Sequence, residues 1–236
     1  MLVGYDYQKI EFSFFGLDLV EPNAMFGDVI LCFIALVFAF KTSKMPIQNT
    51  FFVAWRWFFI LFGFGFFLGG LGHLMYNYWG VPGKYTSWYL GIVSVFFIER
   101  AMVSVYPNEK VRYFFNLLIV GKLVLAALVA SAVFIFIDVK ADPSLGLRAP
   151  SINSTVGLFF ALGVLGFFYY KTVSFSFFFF WASVLILIPA AFFQLMKINF
   201  HQWFDRNDAS HFLLAISLFF YFKGVKAYQK HLSSNC

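Results

Sequence analysis

Residues 112–138 read RYFFNLLIVGKLVLAALVASAVFIFID. Between Arg112 and Asp138 the only charge is Lys122. This apolar run exceeds the ~20 residues a helix needs to cross ~30 Å of hydrocarbon, and it lacks the polar stripe a helix shows to water. Working outward, six further runs of similar character occupy residues 25–41, 53–78, 85–106, 152–170, 173–196 and 209–227. The breakers between them are Pro46, then Gly80, Pro82 and Gly83, then Pro107, then Asp142, Pro143 and Pro150. The pattern predicts an all-α, polytopic membrane protein, a bundle of seven transmembrane helices forming one domain over residues 1–236.

Composition agrees. Hydrophobic residues make up 61% and charged residues 12% of the 236, against about 25% charged in soluble chains. The 38 phenylalanines suit lipid-facing helices, because hydrocarbon accepts large apolar side chains and demands only that backbone groups be satisfied internally. The net charge of +6 does not point to nucleic acid, because the basic residues stand singly at span ends and form no runs. Cys32 and Cys236 match no metal spacing and are not expected to pair. Residues 1–19 carry Asp6, Lys9, Glu11 and Asp18 and do not read as a signal peptide, so the first span is expected to direct insertion.

Lys and Arg near the span ends set the orientation. With the amino terminus outside, the inner side receives ten: Lys41, Lys44, Arg56, Arg100, Lys110, Arg112, Lys171, Lys223, Lys226 and Lys230. The outer side receives six: Lys9, Lys84, Lys140, Arg148, Lys197 and Arg206. All acidic residues except Glu99 and Glu109 fall outside as well. The expected topology is therefore N-out, C-in, in a membrane taken to be the cell membrane.

That topology gathers scattered polar residues. Glu21, Asn23 and Asp28 mark the outer mouth of the first span, His73 and Asn77 that of the second, and Asn207, Asp208 and His211 that of the seventh, with His201 in the loop before it. Imidazoles with carboxylates suit a zinc site whose open position holds an acidified water. His73, His211 and His201 are the candidate metal ligands, and Glu21, Asp28 and Asp208 the candidate catalytic carboxylates or a second cation site. Asn207 with His211, and His73 with Asn77, are four apart and are expected to share helix faces. The plain alternative is interfacial polarity and helix capping, with His201 in an ordinary hydrophilic loop.

Deeper in the bilayer, Glu99 and Lys122 fall at similar depths on neighbouring spans, which predicts an ion pair. The pair holds two helices in register or serves as a proton or ion relay. Gly63, Gly65, Gly69, Gly70 and Gly72 are expected to admit a neighbouring helix beside His73. Pro189 should kink the sixth span.

Glu21-Pro22-Asn23, His73 and His211, with seven spans and an external amino terminus, resemble the CREST superfamily, which includes alkaline ceramidases and the progestin and adipoQ receptors. The resemblance implies hydrolysis of a lipid amide by a zinc-bound water, with calcium near the acidic amino-terminal segment, and the expected activity is that of a metal-dependent hydrolase of a lipid amide or ester. The chain departs from the family pattern at three places. Asn207 stands where the seventh-span histidine pair begins, Gly69 stands for the serine one turn before the second-span histidine, and Lys84 lies where an aspartate is expected. These departures leave open a relative without the metal, one that uses His201, or one that was never a hydrolase. The other classes are a receptor-like or lipid-binding membrane protein and a transporter. Membrane lipids are the expected partners, and a lipid the expected substrate.

Overall fold

A computed structural model describes residues 8–234; Asp6 and Cys236 lie outside the described residues. The first element, unlike the all-α expectation, is a β-hairpin. Strand β1 (Glu11–Phe14) pairs antiparallel with β2 (Leu17–Val20). Its two-residue turn places Phe15 at φ 49 and Gly16 at φ 77, the doubly left-handed geometry whose twist matches that of paired strands. Short alternating segments of this kind are invisible to a search for 20-residue apolar runs.

Helices α1 (Pro22–Ser43) and α2 (Thr50–Leu74) form an extensively packed hairpin. Asn49 caps α2 by accepting hydrogen bonds from the amides of Phe51 and Phe52. The second apolar run does not continue as one helix to residue 78. It breaks at Met75, and a single turn, α3 (Tyr76–Trp79), follows. His73 and Asn77 therefore do not share a helix face. Asn77 instead donates to the Asp18 carbonyl at 3.2 Å, and Tyr78 Oη accepts from the Asp18 amide at 2.9 Å, fastening the hairpin to α3.

A tight turn over Val81–Lys84 leads into α4 (Tyr85–Ser104), and α5 (Glu109–Phe136) lies on the rim of the bundle. Leu118, Leu125, Leu128, Ile135 and Phe136 of α5 are all exposed. A single helix showing this much apolar surface is compatible with an integral membrane protein, where lipid covers it.

Helix α6 (Pro143–Leu158) continues without interruption through a widened π-helical stretch, Phe159–Leu165, into α7 (Gly166–Thr172). Pro150, read from sequence as a connection, lies inside α6. Pro143 fits the first turn, where its missing N–H is no loss, and Asp142 accepts the Ser144 amide at 3.0 Å. The helix that carries the apolar run from 152 thus begins at Pro143.

Helices α8 (Phe178–Leu195, containing Pro189) and α9 (Arg206–Ser234) complete the chain. Among the described residues six segments are long and apolar enough to cross a membrane. Helix α9 is not among them, because His211, Lys223 and Lys226 interrupt its apolar stretch. The core at the end away from the hairpin is aromatic: Trp55 stacks on Phe180 with ring centres 5.1 Å apart, and Phe51, Phe177 and Tyr228 pack around them. Gly224 permits this, since a Cβ there would lie 2.7 Å from the Phe180 ring.

Candidate functional site

At the hairpin end, α1 begins, α2 ends and α9 begins, and their polar residues converge. Pro22 opens α1 and disfavours right-handed helical backbone at the residue before it. Glu21 accordingly sits at φ 55, its amide donating to the Ile10 carbonyl at 2.9 Å. Its buried carboxylate, 4% exposed, holds two partners. Oε1 pairs with Lys9, and Oε2 lies 2.6 Å from His73 Nδ1. Lys9 also reaches Asp205 at 3.5 Å. Burial lowers the pKa of Lys9, and the Asp205 carboxylate opposes that shift.

Two turns beyond Glu21, Asp28 faces α2. It is 2% exposed and lies 2.9 Å from His211 Nδ1. That distance is an ion-pair contact, although the alignment is not that of a hydrogen bond. Glycines make room for it: a Cβ on Gly70 would meet the Asp28 Cβ and Met25 Sδ, each at 2.9 Å. The small-residue stripe thus serves close helix approach beside His73, as expected.

The residue that sequence reasoning misplaced is Lys84. Counted there as an interfacial charge, it is 5% exposed and turned inward. A Cβ on Gly72 would lie 2.8 Å from the Gly83 carbonyl oxygen, so backbone rests on backbone and Lys84 is delivered alongside His73. Its Nζ is 3.0 Å from Nδ1 and 2.8 Å from Nε2 of that ring. A proton on Nδ1 would serve the Glu21 carboxylate and leave Nε2 free as an acceptor. Among the described residues no carboxylate comes within ion-pair reach of Lys84 Nζ. One turn on, Ser87 fills the space that Gly69 leaves, where a Cβ would meet Ser87 Oγ at 2.9 Å. The sequence shows Gly72 and Gly83, but not that the fold brings them into contact.

Helix α9 adds Asn207 and His211 to the same cavity, four residues apart as expected. Its start is a reciprocal cap. Asp205 accepts the amides of Asn207 (2.7 Å) and Asp208 (3.2 Å), and Asp208 accepts the Asp205 amide (3.0 Å) and Asn23 Nδ2 (2.7 Å). Asp208 is therefore committed to capping. His201 stays apart, exposed in a tight turn where its Nδ1 accepts the Trp203 amide at 3.1 Å.

The polar cavity, about 210 Å³, is walled by Asp28, His73, Lys84, Ser87 and His211. Phe66, Ser87, Trp88 and Leu147 are shared with a second, mainly apolar cavity of about 270 Å³ that runs between α2, α4, α6 and α9 to Ile98, Leu158 and Tyr221. On the outer flank between α1 and α9, Phe26, Ile30 and Phe212 line a third, open groove with Asn23 and Asp208 at its polar end.

The donor set fits zinc poorly. Among the described residues no three His, Cys, Asp or Glu side chains gather as metal ligands, and the Lys84 amine crowds the His73 ring, within 3.0 Å of both its nitrogens. Deeper in, Lys122 meets Glu99 at 3.1 Å and donates to Asn153 Oδ1 at 2.7 Å, so the predicted ion pair exists and joins α4, α5 and α6.

No curated protein and no solved structure matches the chain. A family model matches residues 24–230, which include both cavities and all but the first two residues of α1 and the last four of α9. The chain belongs to that family, described as a family of unknown function, DUF6962.

Proposed function

We propose that the chain is a seven-span, N-out, C-in membrane protein that binds a single-chain amphiphile, with its head in the Lys84, His73 and Asp28 cavity and its tail in the apolar chamber below. The observation that carries this reading is the shared wall of the two cavities at Phe66, Ser87, Trp88 and Leu147. A few convergent polar groups above an apolar volume are what small-molecule sites present, and together the two cavities reach the ~300–1,000 Å³ usual for them. The seventh span is α9, whose inward-turned polar residues complete the site, and the asymmetry of basic residues supports the orientation.

Radiolabelled hexadecanol tests the reading. Purified protein in lipid nanodiscs is expected to retain it saturably. Ser154→Trp, which fills the apolar chamber, is expected to lose it while unfolding at an unchanged temperature. Absence of saturable retention, or full retention by the variant, overturns the proposal.

One observation favours a second reading, a metal-dependent hydrolase of a lipid amide or ester. His73 and His211 are each backed by a carboxylate, at 2.6 and 2.9 Å, as metal-bound imidazoles commonly are. Lys84 weighs against it, since a cation at Nε2 must first displace the amine. Stoichiometric zinc after chelator-free purification, lost in His73→Ala, selects this second reading.

A further inference from the structure

Among the described residues, Lys84 is the one amine that lines the polar cavity. We infer that Lys84 condenses with the carbonyl of a long-chain aldehyde to form an imine within the bundle. The inference rests on the amphiphile reading above, because the apolar chamber is what selects the chain.

The geometry supplies each requirement. An amine is nucleophilic when its lone pair is free, and Lys84 lacks a carboxylate partner that would hold it as a paired ammonium. The His73 ring lies against the amine, with Nε2 2.8 Å from Nζ, and rotation of the lysine into the ring plane would let Nε2 take its proton. Glu21, 2.6 Å from Nδ1, orients the ring and stabilises the imidazolium that results. Asp28 lines the same cavity and supplies negative charge for the iminium.

The Lys84 nitrogen adds to the carbonyl carbon as the C=O π electrons move to oxygen, and one N–H proton passes to His73 Nε2. The imidazolium returns that proton to the alkoxide, giving the carbinolamine hydroxyl. The remaining N–H proton, relayed by His73, joins that hydroxyl, which leaves as water as the C=N bond forms. One amine and one aldehyde give one imine and one water, with no change of oxidation state and no other reactant. The apolar walls at Phe66, Trp88 and Leu147 limit the water that would reverse the step.

The test uses the full chain in nanodiscs with hexadecanal and sodium cyanoborohydride, read by intact mass and peptide mapping. A single hexadecyl adduct on Lys84 is expected, formed at least about tenfold faster than on Lys41 or Lys171, because the bound chain raises the effective concentration of the carbonyl at the amine. Lys84→Arg should abolish that adduct. His73→Gln should slow its formation at saturating hexadecanal and make it less dependent on pH, a change that a merely structural role would not give. Labelling spread evenly over the lysines, or absent from Lys84 while hexadecanol is held, overturns the imine and leaves the binding reading standing. Equal labelling of Lys84 by propanal and hexadecanal overturns the role of the chamber. Failure of both hexadecanol retention and labelling overturns both.

Discussion

Replacing Lys122 by methionine tests the central polar node most directly. The substitution leaves Glu99, 2% exposed on its side chain, without its cation, and leaves Asn153 Oδ1 without the Lys122 donor. At 3.1 Å and an effective dielectric of about 20, the gross attraction is about 5 kcal/mol. Because 22% of the Lys122 side chain reaches the surface, the net loss belongs at the low end of the range for breaking a buried pair, about 3 kcal/mol. At about 2–4 °C per kcal/mol for a chain of this size, Tm in nanodiscs should fall by roughly 6–12 °C. The double variant Glu99→Gln/Lys122→Met removes both charges and should recover most of that fall, keeping a residue of about 1 kcal/mol for Asn153. The reasoning is refuted if Lys122→Met unfolds within about 2 °C of the parent, or if the double variant falls by the sum of the two singles.

Other consequences are as specific. Gly72→Ala forces a Cβ against the Gly83 carbonyl and should cost about 1–3 kcal/mol by overpacking; with Lys84 displaced from His73, hexadecanal labelling should fall more than Tm does. Asp205→Ala removes the α9 cap and should lower stability by about 1 kcal/mol, with faster hydrogen exchange confined to residues 207–209. The Ser144 hydrogen bonds hold the Asp142 carboxyl below its ordinary 3.8. Its folded pKa is depressed, so its stabilisation of α6 is present above 3.8 and is lost as pH falls through the lower folded value. Asp142→Asn should remove that acid-side dependence of exchange at residues 144–146, and an unchanged profile would count against the cap.

The spans were legible because hydrocarbon imposes one simple demand, and the run at 112–138 meets it over its whole length. The pairing of Glu99 with Lys122 followed from depth alone, and the gathering of His73 with His211 from chain direction. What was not legible depends on how backbones rest on each other. Pro150 reads as a breaker in isolation, yet α6 carries it. His73 and Asn77 look like one face until the helix breaks at Met75. Lys84 looks like a surface charge, because nothing short of the contact between Gly72 and Gly83 reveals which way it turns. Likewise the partner with which Asp208 caps α9 is Asp205 three residues before it, which the sequence does not single out.

The widened stretch at Phe159–Leu165 has a consequence for tolerance to altered chain length. In an ordinary α-helix each residue advances the face by about 100°, so deleting one residue swings everything beyond it away from its partners. A π-helical turn already holds one residue more than its neighbours. Shortening this segment by a single residue should restore regular winding while Asn153 still faces Lys122 and Tyr169 still meets the Met102 carbonyl. The same deletion within α8, where no surplus exists, should derange every contact toward its carboxyl end.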